Sequence, residues 1–401
     1  MAFHVVAWLA ALASADALPS YAGGLGWPLA ALHAVTLGVL AMTAIGASVQ
    51  LFPVATRRPV AHERAGAAIF WLYAPGVAAV VVGMGLPSIP LLAAGGAAAG
   101  AALALFAFIL GRNLADARGM PLVVAYGAVA AAALVATLVT AALAVAAYAW
   151  PSSTSWPRAS LLALHVVLAA YGFMGMLALG LAHVLVPLFA LGEPPAPGRA
   201  RASLALALVA LVLAAGGAIA REPALLASGA ATGVVAAVLH VMSMRAVVAR
   251  GLRRELGTGF TLVRLAWAAM IASLALGVGT ALALPLPRLA TLFGATLVVG
   301  WLLTFVLGML ERIVPFLAAM HAGRGQRRPP TPSSLTDARS LALHARLHGA
   351  ALALLAASIV LDRGGIALAA AAAGLAGSVA YALSFARAAR AIAPTFREAA
   401  R

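Results

Sequence analysis

The chain has 401 residues, of which 64% are hydrophobic and only 9% are charged, and its mean hydropathy is +1.06. Soluble domains carry about 25% charged residues, so this composition excludes a water-soluble globule and predicts an integral membrane protein. The net charge of +16 comes from 26 basic residues, all of them arginine, against 10 acidic residues. Because the arginines lie in short loops between apolar runs, they indicate membrane topology and contact with anionic lipid headgroups, and a nucleic-acid partner is not expected. The absence of cysteine excludes disulfides, thiolate metal sites and cysteine catalysis.

Twelve apolar runs are long enough to cross a bilayer, which takes about 20 residues per helix. These runs are rich in alanine and leucine and lack the period-two alternation of a membrane β-barrel, so they predict helices. The first run is interrupted by Asp16 but lacks the basic start of a signal peptide, and we keep it as a span. In chain order, the predicted spans cover residues 2–18, 27–52, 66–84, 88–111, 121–149, 159–189, 202–220, 223–249, 262–284, 289–320, 342–362 and 365–388.

The loops alternate in charge along the chain. Nineteen arginines follow even-numbered spans or lie in the C-terminal tail, whereas four follow odd-numbered spans. The positive-inside rule therefore predicts a multi-pass protein of the bacterial inner membrane with both termini in the cytoplasm. The longest loop, 321–341, is rich in proline, serine and arginine and is predicted to be a flexible cytoplasmic connector. We expect no soluble domain, so residues 1–401 form one membrane domain.

Three spans share one register of small residues, in which two glycines eight residues apart are followed seven residues later by a proline. The offsets between the copies are 134 and 128 residues, about four spans each. The sequence therefore predicts an all-α polytopic bundle of about 12 helices, built as three pseudo-repeated arcs of four helices. The expected repeats are 1–57 together with 342–401, 58–190, and 191–320. The register residues are Gly38, Gly46 and Pro53 in span 2, Gly172, Gly180 and Pro187 in span 6, and Gly300, Gly308 and Pro315 in span 10.

Glycines at this spacing lie close to one face of a helix, because eight residues turn only about 80° beyond two full turns. Small residues on such a face allow close approach of another helix or of a flat ligand. Gly38, Gly46, Gly172 and Gly180 are therefore candidate cofactor-binding positions, and helix packing alone is the alternative.

Two histidines lie in the outer parts of their spans, and ionisable groups at membrane depth are functional candidates because they are costly to bury. His33 lies in span 2 and His165 in span 6. Imidazole is a common axial ligand of iron and a ligand of copper, so two histidines on facing helices could bind one buried cofactor. The alternative is that each histidine bonds a backbone carbonyl between helices.

A second polar group lies toward the predicted cytoplasmic ends of the spans, comprising Gln50, His183, His240, Glu311 and Arg312. Around a pseudo-threefold axis these residues would form a proton-conducting cluster, or a metal site to which His183, Glu311 and also His165 contribute. Ordinary polar capping at the headgroup boundary is the alternative.

The other histidines are expected near the membrane surface. His344 and His348 are four residues apart on one helix face, a spacing seen in metal sites. Because they lie near the start of span 11 with Arg346 between them, we expect solvated side chains. His4, His62 and His321 are also expected at the interface.

The twelve spans, the inside termini, the three arcs and the histidines of spans 2 and 6 resemble the heme-copper oxidase subunit I superfamily. The series His165, Gly172, Gly180 and Pro187 resembles the family's helix with a histidine, two glycines eight apart and a proline. The resemblance implies heme held between helices 2, 6 and 10, with His33 matching a low-spin heme ligand and His165 a copper ligand.

The chain departs from the family at the catalytic centre. Span 10 carries no histidine around Leu292 and Phe293, and span 7 lacks the family's adjacent histidine pair for copper. The resemblance therefore implies a divergent member that is not a complete terminal oxidase. Such a member would be similar to the NnrS-like proteins, which are associated with nitric oxide and copper or heme responses.

Three functional hypotheses follow. The first is a heme-binding membrane protein, with copper as the alternative metal, that acts in electron transfer, nitric oxide response or assembly of a respiratory enzyme with other subunits. The second is a twelve-span transporter. The third is a structural subunit without a cofactor, in which the glycines serve packing only.

Overall fold

The structure is a computed structural model that describes residues 1–59, 65–150, 156–253, 255–322 and 330–399. It confirms the predicted all-α bundle, and the described residues contain no strand. A short 3-10 turn at Pro332–Leu335 precedes the eleventh helix. The helices are α1 (Ala2–Ala13), α2 (Trp27–Thr56), α3 (Ala65–Gly85), α4 (Ile89–Ala115), α5 (Pro121–Ala149), α6 (Arg158–Ala190), α7 (Pro197–Ala220), α8 (Pro223–Arg250), α9 (Gly257–Ala281), α10 (Leu289–Ala322), α11 (Ala338–Leu361) and α12 (Gly364–Ala399).

Eleven of the helices in the described part of the chain are long and apolar enough to cross a membrane, and α1 is the shorter exception. Its 12 residues rise about 18 Å, whereas the hydrocarbon core is about 30 Å thick. The helix ends at Ala13 because polar residues follow, and the Ser14 hydroxyl turns back to donate to the Ala10 carbonyl at 2.8 Å. The first predicted span is thus helical over its first two thirds only.

The twelve helices pack as three similar arcs. The hairpins α3–α4, α7–α8 and α11–α12 are the most extensive helix pairs, and α2, α6 and α10 contact one another at the centre. The second helix of each hairpin packs against the helix that follows it in the ring: α4 against α5, α8 against α9, and α12 against α1. Even-numbered helices end on one side of the bundle, which we call the arginine-rich side because most loop arginines follow these helices.

Matching turns close the three hairpins. The bond from the Ser88 amide to the Gly83 carbonyl measures 2.8 Å, and that from Glu222 to Gly217 measures 2.9 Å. In the third hairpin the Arg363 amide donates to the Ser358 carbonyl at 3.1 Å. This shared backbone pattern places corresponding helices at corresponding positions in the three arcs.

Each central helix changes from α to π geometry over one segment. The segments are Thr36–Ala41 in α2, Val167–Gly175 in α6 and Thr296–Leu303 in α10. Each one ends three residues after the first glycine of the repeated register, so the irregularity occurs at the same place three times. A π segment adds a residue to a turn and rotates the preceding side chains relative to the following ones, and such segments are frequent at functional sites.

Candidate functional site

A cavity of about 800 Å³ lies where α2, α6 and α10 begin, on the side opposite the arginine-rich side. Its walls include the π segments of all three helices and side chains of α4, α5, α8 and α9. Small-molecule and cofactor sites usually occupy about 300–1,000 Å³ and have mostly apolar walls with a few polar groups, which is the character of this cavity.

His33 and His165 both line this cavity, three and two residues before the π segments of their helices. The His33 Nδ1 lies 3.0 Å from the Leu29 carbonyl. Because a carbonyl only accepts, Nδ1 carries the proton, and in the neutral ring Nε2 keeps a free lone pair.

The His165 ring is fixed by a side chain of the neighbouring helix. Its Nδ1 lies 3.0 Å from Oγ1 of Thr140, whose own hydroxyl proton is donated to the Thr137 carbonyl. The Thr140 oxygen therefore accepts from His165, and Nε2 of His165 is also unprotonated. Donation from Nδ1 to an oxygen is the usual second-shell arrangement of a metal-binding histidine, because it leaves Nε2 free as the ligand atom. Both rings lie in the wall of the same cavity.

The remaining polar groups of the cavity are hydroxyls. The Tyr171 hydroxyl donates to Ser273 Oγ at 3.2 Å. At the outer mouth, the Tyr21 hydroxyl donates to the Gly24 carbonyl at 2.6 Å, and burial raises the pKa of Tyr21 to about 12. Arg158 also lies at this mouth: it donates to the Tyr148 hydroxyl, and its guanidinium carbon is 4.3 Å from the centre of the Tyr148 ring. Tyr148 lines the cavity, so its contact with Arg158 places a cation close to the cavity wall.

The repeated glycines do not line the cavity, which corrects their expected role. A Cβ on Gly172 would lie 2.8 Å from the Ala133 Cβ, and one on Gly180 would lie 2.6 Å from the Tyr126 Cβ. Gly38 packs against Phe3, and Gly46 is exposed with nothing within 4 Å of its Cβ position. The packing alternative therefore describes Gly38, Gly172 and Gly180. The glycines that do line the cavity are Gly23 and Gly24 before α2, and Gly96, Gly100, Gly229, Gly233, Gly277 and Gly294 in α4, α8, α9 and α10.

Part of the predicted polar cluster does assemble. The His183 and His240 rings are 5.2 Å apart, and Tyr126 lies 5.5 Å from His183. His183 donates from Nδ1 to the Leu179 carbonyl at 2.8 Å, which leaves its buried Nε2 without a partner. These groups form a separate polar site outside the cavity.

The other predicted members lie apart from these two histidines. Thr258 donates to Glu311 Oε2 at 2.7 Å, and the other carboxylate oxygen is buried without a partner. Arg312 donates to the Leu256 carbonyl, directly before α9 begins, and Gln50 is exposed. Among the residues that the structure describes, no group of three or more His, Asp or Glu side chains is placed to hold a metal ion, and His165, His183 and Glu311 form no such group.

The expectation of surface positions for His4, His344 and His348 is wrong. His4 and His344 are fully buried and His348 is 1% exposed, because α12 packs along α11 and the His4 ring of α1 lies against His344. His321 is half-buried and bonds the Leu317 carbonyl at 2.8 Å, whereas His62 lies outside the described residues.

Comparison with known proteins leaves the family unassigned: no family model and no curated protein matches the chain.

Proposed function

We propose that this integral membrane protein binds a heme in the cavity between α2, α6 and α10, with Nε2 of His33 and Nε2 of His165 as the candidate axial ligands. The observation that carries the proposal is the pair of unprotonated ring nitrogens, each held by donation from Nδ1, at the wall of one large apolar cavity. A porphyrin is flat and mostly apolar, so it suits these walls.

The number of available ligands favours a macrocycle over a bare ion. A copper or zinc ion needs three or four protein ligands in most stable sites, and the described residues offer no such group. The iron of heme already has four nitrogen ligands in its plane and takes only one or two from the protein. Two histidines are thus enough protein ligands for a heme iron but too few for most copper sites. Copper stays the alternative metal.

The outer mouth suits the polar edge of such a cofactor. Arg158 supplies a cation beside the phenol of Tyr148, and Tyr148 lines the cavity. The carboxylates of a heme would be stabilised by this guanidinium, while the ring system stays among the apolar side chains.

Bound heme would supply one-electron chemistry. The chain's own residues fix the ring nitrogens through Leu29 and Thr140 and exclude bulk water with apolar walls. We propose roles in electron transfer, nitric oxide response or assembly of a respiratory enzyme with other subunits, in the bacterial inner membrane with both termini in the cytoplasm. Oxygen reduction by a heme-copper centre is not proposed. Leu292 and Phe293 lie in α10 at the place where the heme-copper oxidase subunit I superfamily, which the chain resembles, has its heme ligands.

The test is an optical and metal analysis of the full chain purified from its own membrane. We expect a Soret band and iron at up to one equivalent, with heme content at least tenfold lower in His33→Ala or His165→Ala. His321→Ala is the matched control, because His321 also bonds a carbonyl in its own helix but lies far from the cavity along α10. A wild-type protein with neither iron nor copper refutes the proposal, and copper without heme selects the alternative.

The same cavity favours one further candidate function, the transport of an apolar solute. The central helices run through the membrane without a break, however, whereas transporters often bind solutes at the ends of broken helices. Solute uptake by cofactor-free protein in vesicles would favour transport.

A further inference from the structure

Three histidines meet in the seam between α1, α10, α11 and α12, outside the cavity. We call His4, His344 and His348 the buried histidine cluster. The ring centres of His4 and His344 are 6.1 Å apart, those of His344 and His348 are 5.4 Å apart, and Tyr381 of α12 lies 4.4 Å from His344. Three imidazoles in an apolar bundle are costly, which makes them a functional candidate.

Hydrogen-bond partners fix the proton positions in two of these rings. His344 bonds the Gly377 carbonyl through Nδ1 at 3.1 Å, so Nδ1 carries the proton and Nε2 is the acceptor. In His4, Nε2 accepts from the indole N–H of Trp8 at 3.2 Å, so the neutral ring carries its proton on Nδ1.

The third ring has the opposite tautomer. His348 Nε2 lies 2.8 Å from Thr304 Oγ1, and the Thr304 proton is donated to the Val299 carbonyl. His348 therefore donates from Nε2.

The cluster leaves one donor and one acceptor unmatched. The Nδ1–H of His4 and the Nε2 lone pair of His344 are both buried and without a partner. The rings are too far apart for a direct hydrogen bond, which needs about 2.9 Å between heavy atoms. A water molecule that accepts from His4 and donates to His344 would satisfy both groups. A metal ion would not, because neutral His4 has no free lone pair while Trp8 donates to Nε2.

A buried carboxyl group connects this cluster with the arginine-rich side. Glu311 of α10 has one oxygen without a partner and lies one turn after Leu307, whose carbonyl accepts from the Tyr381 hydroxyl at 2.7 Å. The Tyr381 ring in turn contacts His344. The amino group of Met1 also lies near the cluster, beside His4. Farther out, Asp337 pairs with Arg387 at 3.4 Å where α11 begins.

We propose that the buried histidine cluster is a proton-binding site that is supplied from the arginine-rich side through Glu311, with one water between His4 and His344. In the transfer step, a proton leaves the Glu311 carboxylic acid and binds to His344 Nε2 through water. The products are a carboxylate and an imidazolium that still donates to Gly377. A hydronium ion from the water on the arginine-rich side then reprotonates Glu311 and leaves a neutral water molecule. The proposal does not depend on a bound heme.

The test is solid-state NMR of the full chain in lipid vesicles, with 15N-labelled histidine and transfer into D2O. A neutral imidazole exchanges its ring N–H after protonation of the other nitrogen, so exchange at His344 Nδ1 measures proton delivery to Nε2. We expect protonated Nδ1 on His4 and His344, protonated Nε2 on His348, and a water contact at His4 Nδ1–H.

The Glu311→Gln variant is expected to slow exchange at His344 at least tenfold, since glutamine still accepts from Thr258 but carries no transferable proton. Glu193→Gln is the matched control, because this carboxylate is exposed in the loop after α6. In this variant, exchange at His344 should occur at the wild-type rate. Slow exchange in the wild type, or equal exchange in Glu311→Gln and the control, overturns the proposal. Absence of the water contact overturns the bridging water.

Discussion

The three repeat-equivalent glycines Gly46, Gly180 and Gly308 have very different surroundings, which allows a matched test of the packing. A Cβ on Gly308 would lie 2.5 Å from the Gly259 carbonyl oxygen, a backbone atom that cannot move without shifting α9. On Gly180 it would lie 2.6 Å from the Tyr126 Cβ, and on Gly46 it would meet nothing within 4 Å. We therefore expect Gly308→Ala and Gly180→Ala to destabilise the bundle relative to Gly46→Ala.

The magnitude follows from two contributions. Replacing glycine by alanine raises helix propensity by up to about 1 kcal/mol, and this gain is common to all three variants and cancels between them. Overpacking costs about 1–3 kcal/mol, so the free energy of unfolding of Gly308→Ala should be lower than that of Gly46→Ala by about that amount. Reversible unfolding in mixed detergent micelles, followed by tryptophan fluorescence, measures the difference. Equal stability of Gly46→Ala and Gly308→Ala within about 0.5 kcal/mol would show that the close approach of α9 and α10 is incorrect.

Three further predictions concern the cavity and the start of α11. Thr140→Val removes the acceptor of His165 Nδ1–H, which should cost about 1–3 kcal/mol for the unpaired buried group and lower the heme content measured from the Soret band. A Cβ on Gly294, in the cavity wall, would meet nothing within 4 Å, so the side chain of Gly294→Leu has room to begin there and to extend into the cavity. Heme content should therefore fall while size-exclusion chromatography shows a folded protein, and unchanged heme content would contradict the cavity site. The pKa of Asp337 lies below its usual value because Ser340 donates its backbone and side-chain groups to the carboxylate. The stabilisation by ionised Asp337 is therefore present at neutral pH and is lost as the pH falls below about 4. In thermal unfolding, the melting temperature of the wild type should be higher than that of Asp337→Ala at pH 7, and the two melting temperatures should converge in acid.

Composition and periodicity predicted the bundle because lipid allows few alternatives to apolar helices. The repeated register likewise placed the arcs, since eight-residue spacing of small residues reflects close helix contacts such as that of Gly180 with Tyr126. The π segments were not predictable, because sequences such as Thr36–Ala41 suit α and π turns alike and packing decides between them.

The buried histidine cluster was missed although the sequence carried a signal for it. Leu341, His344, His348 and Ala351 recur at spacings of three, four and three residues, the period of a buried helix face, and all four are buried. Arg346 suggested a solvated stretch, but it projects from the exposed face of α11. At His165, the partner Thr140 comes from α5, 25 residues earlier, and no local pattern indicates such a contact.

An experimental map of the purified protein, at a resolution that shows side chains, tests the central claim most directly. We expect flat density in the cavity between α2, α6 and α10, in contact with Nε2 of His33 and of His165, and with its polar edge toward Arg158. A cavity filled by lipid chains, with the two ring nitrogens bonded to water or to protein groups, would contradict it.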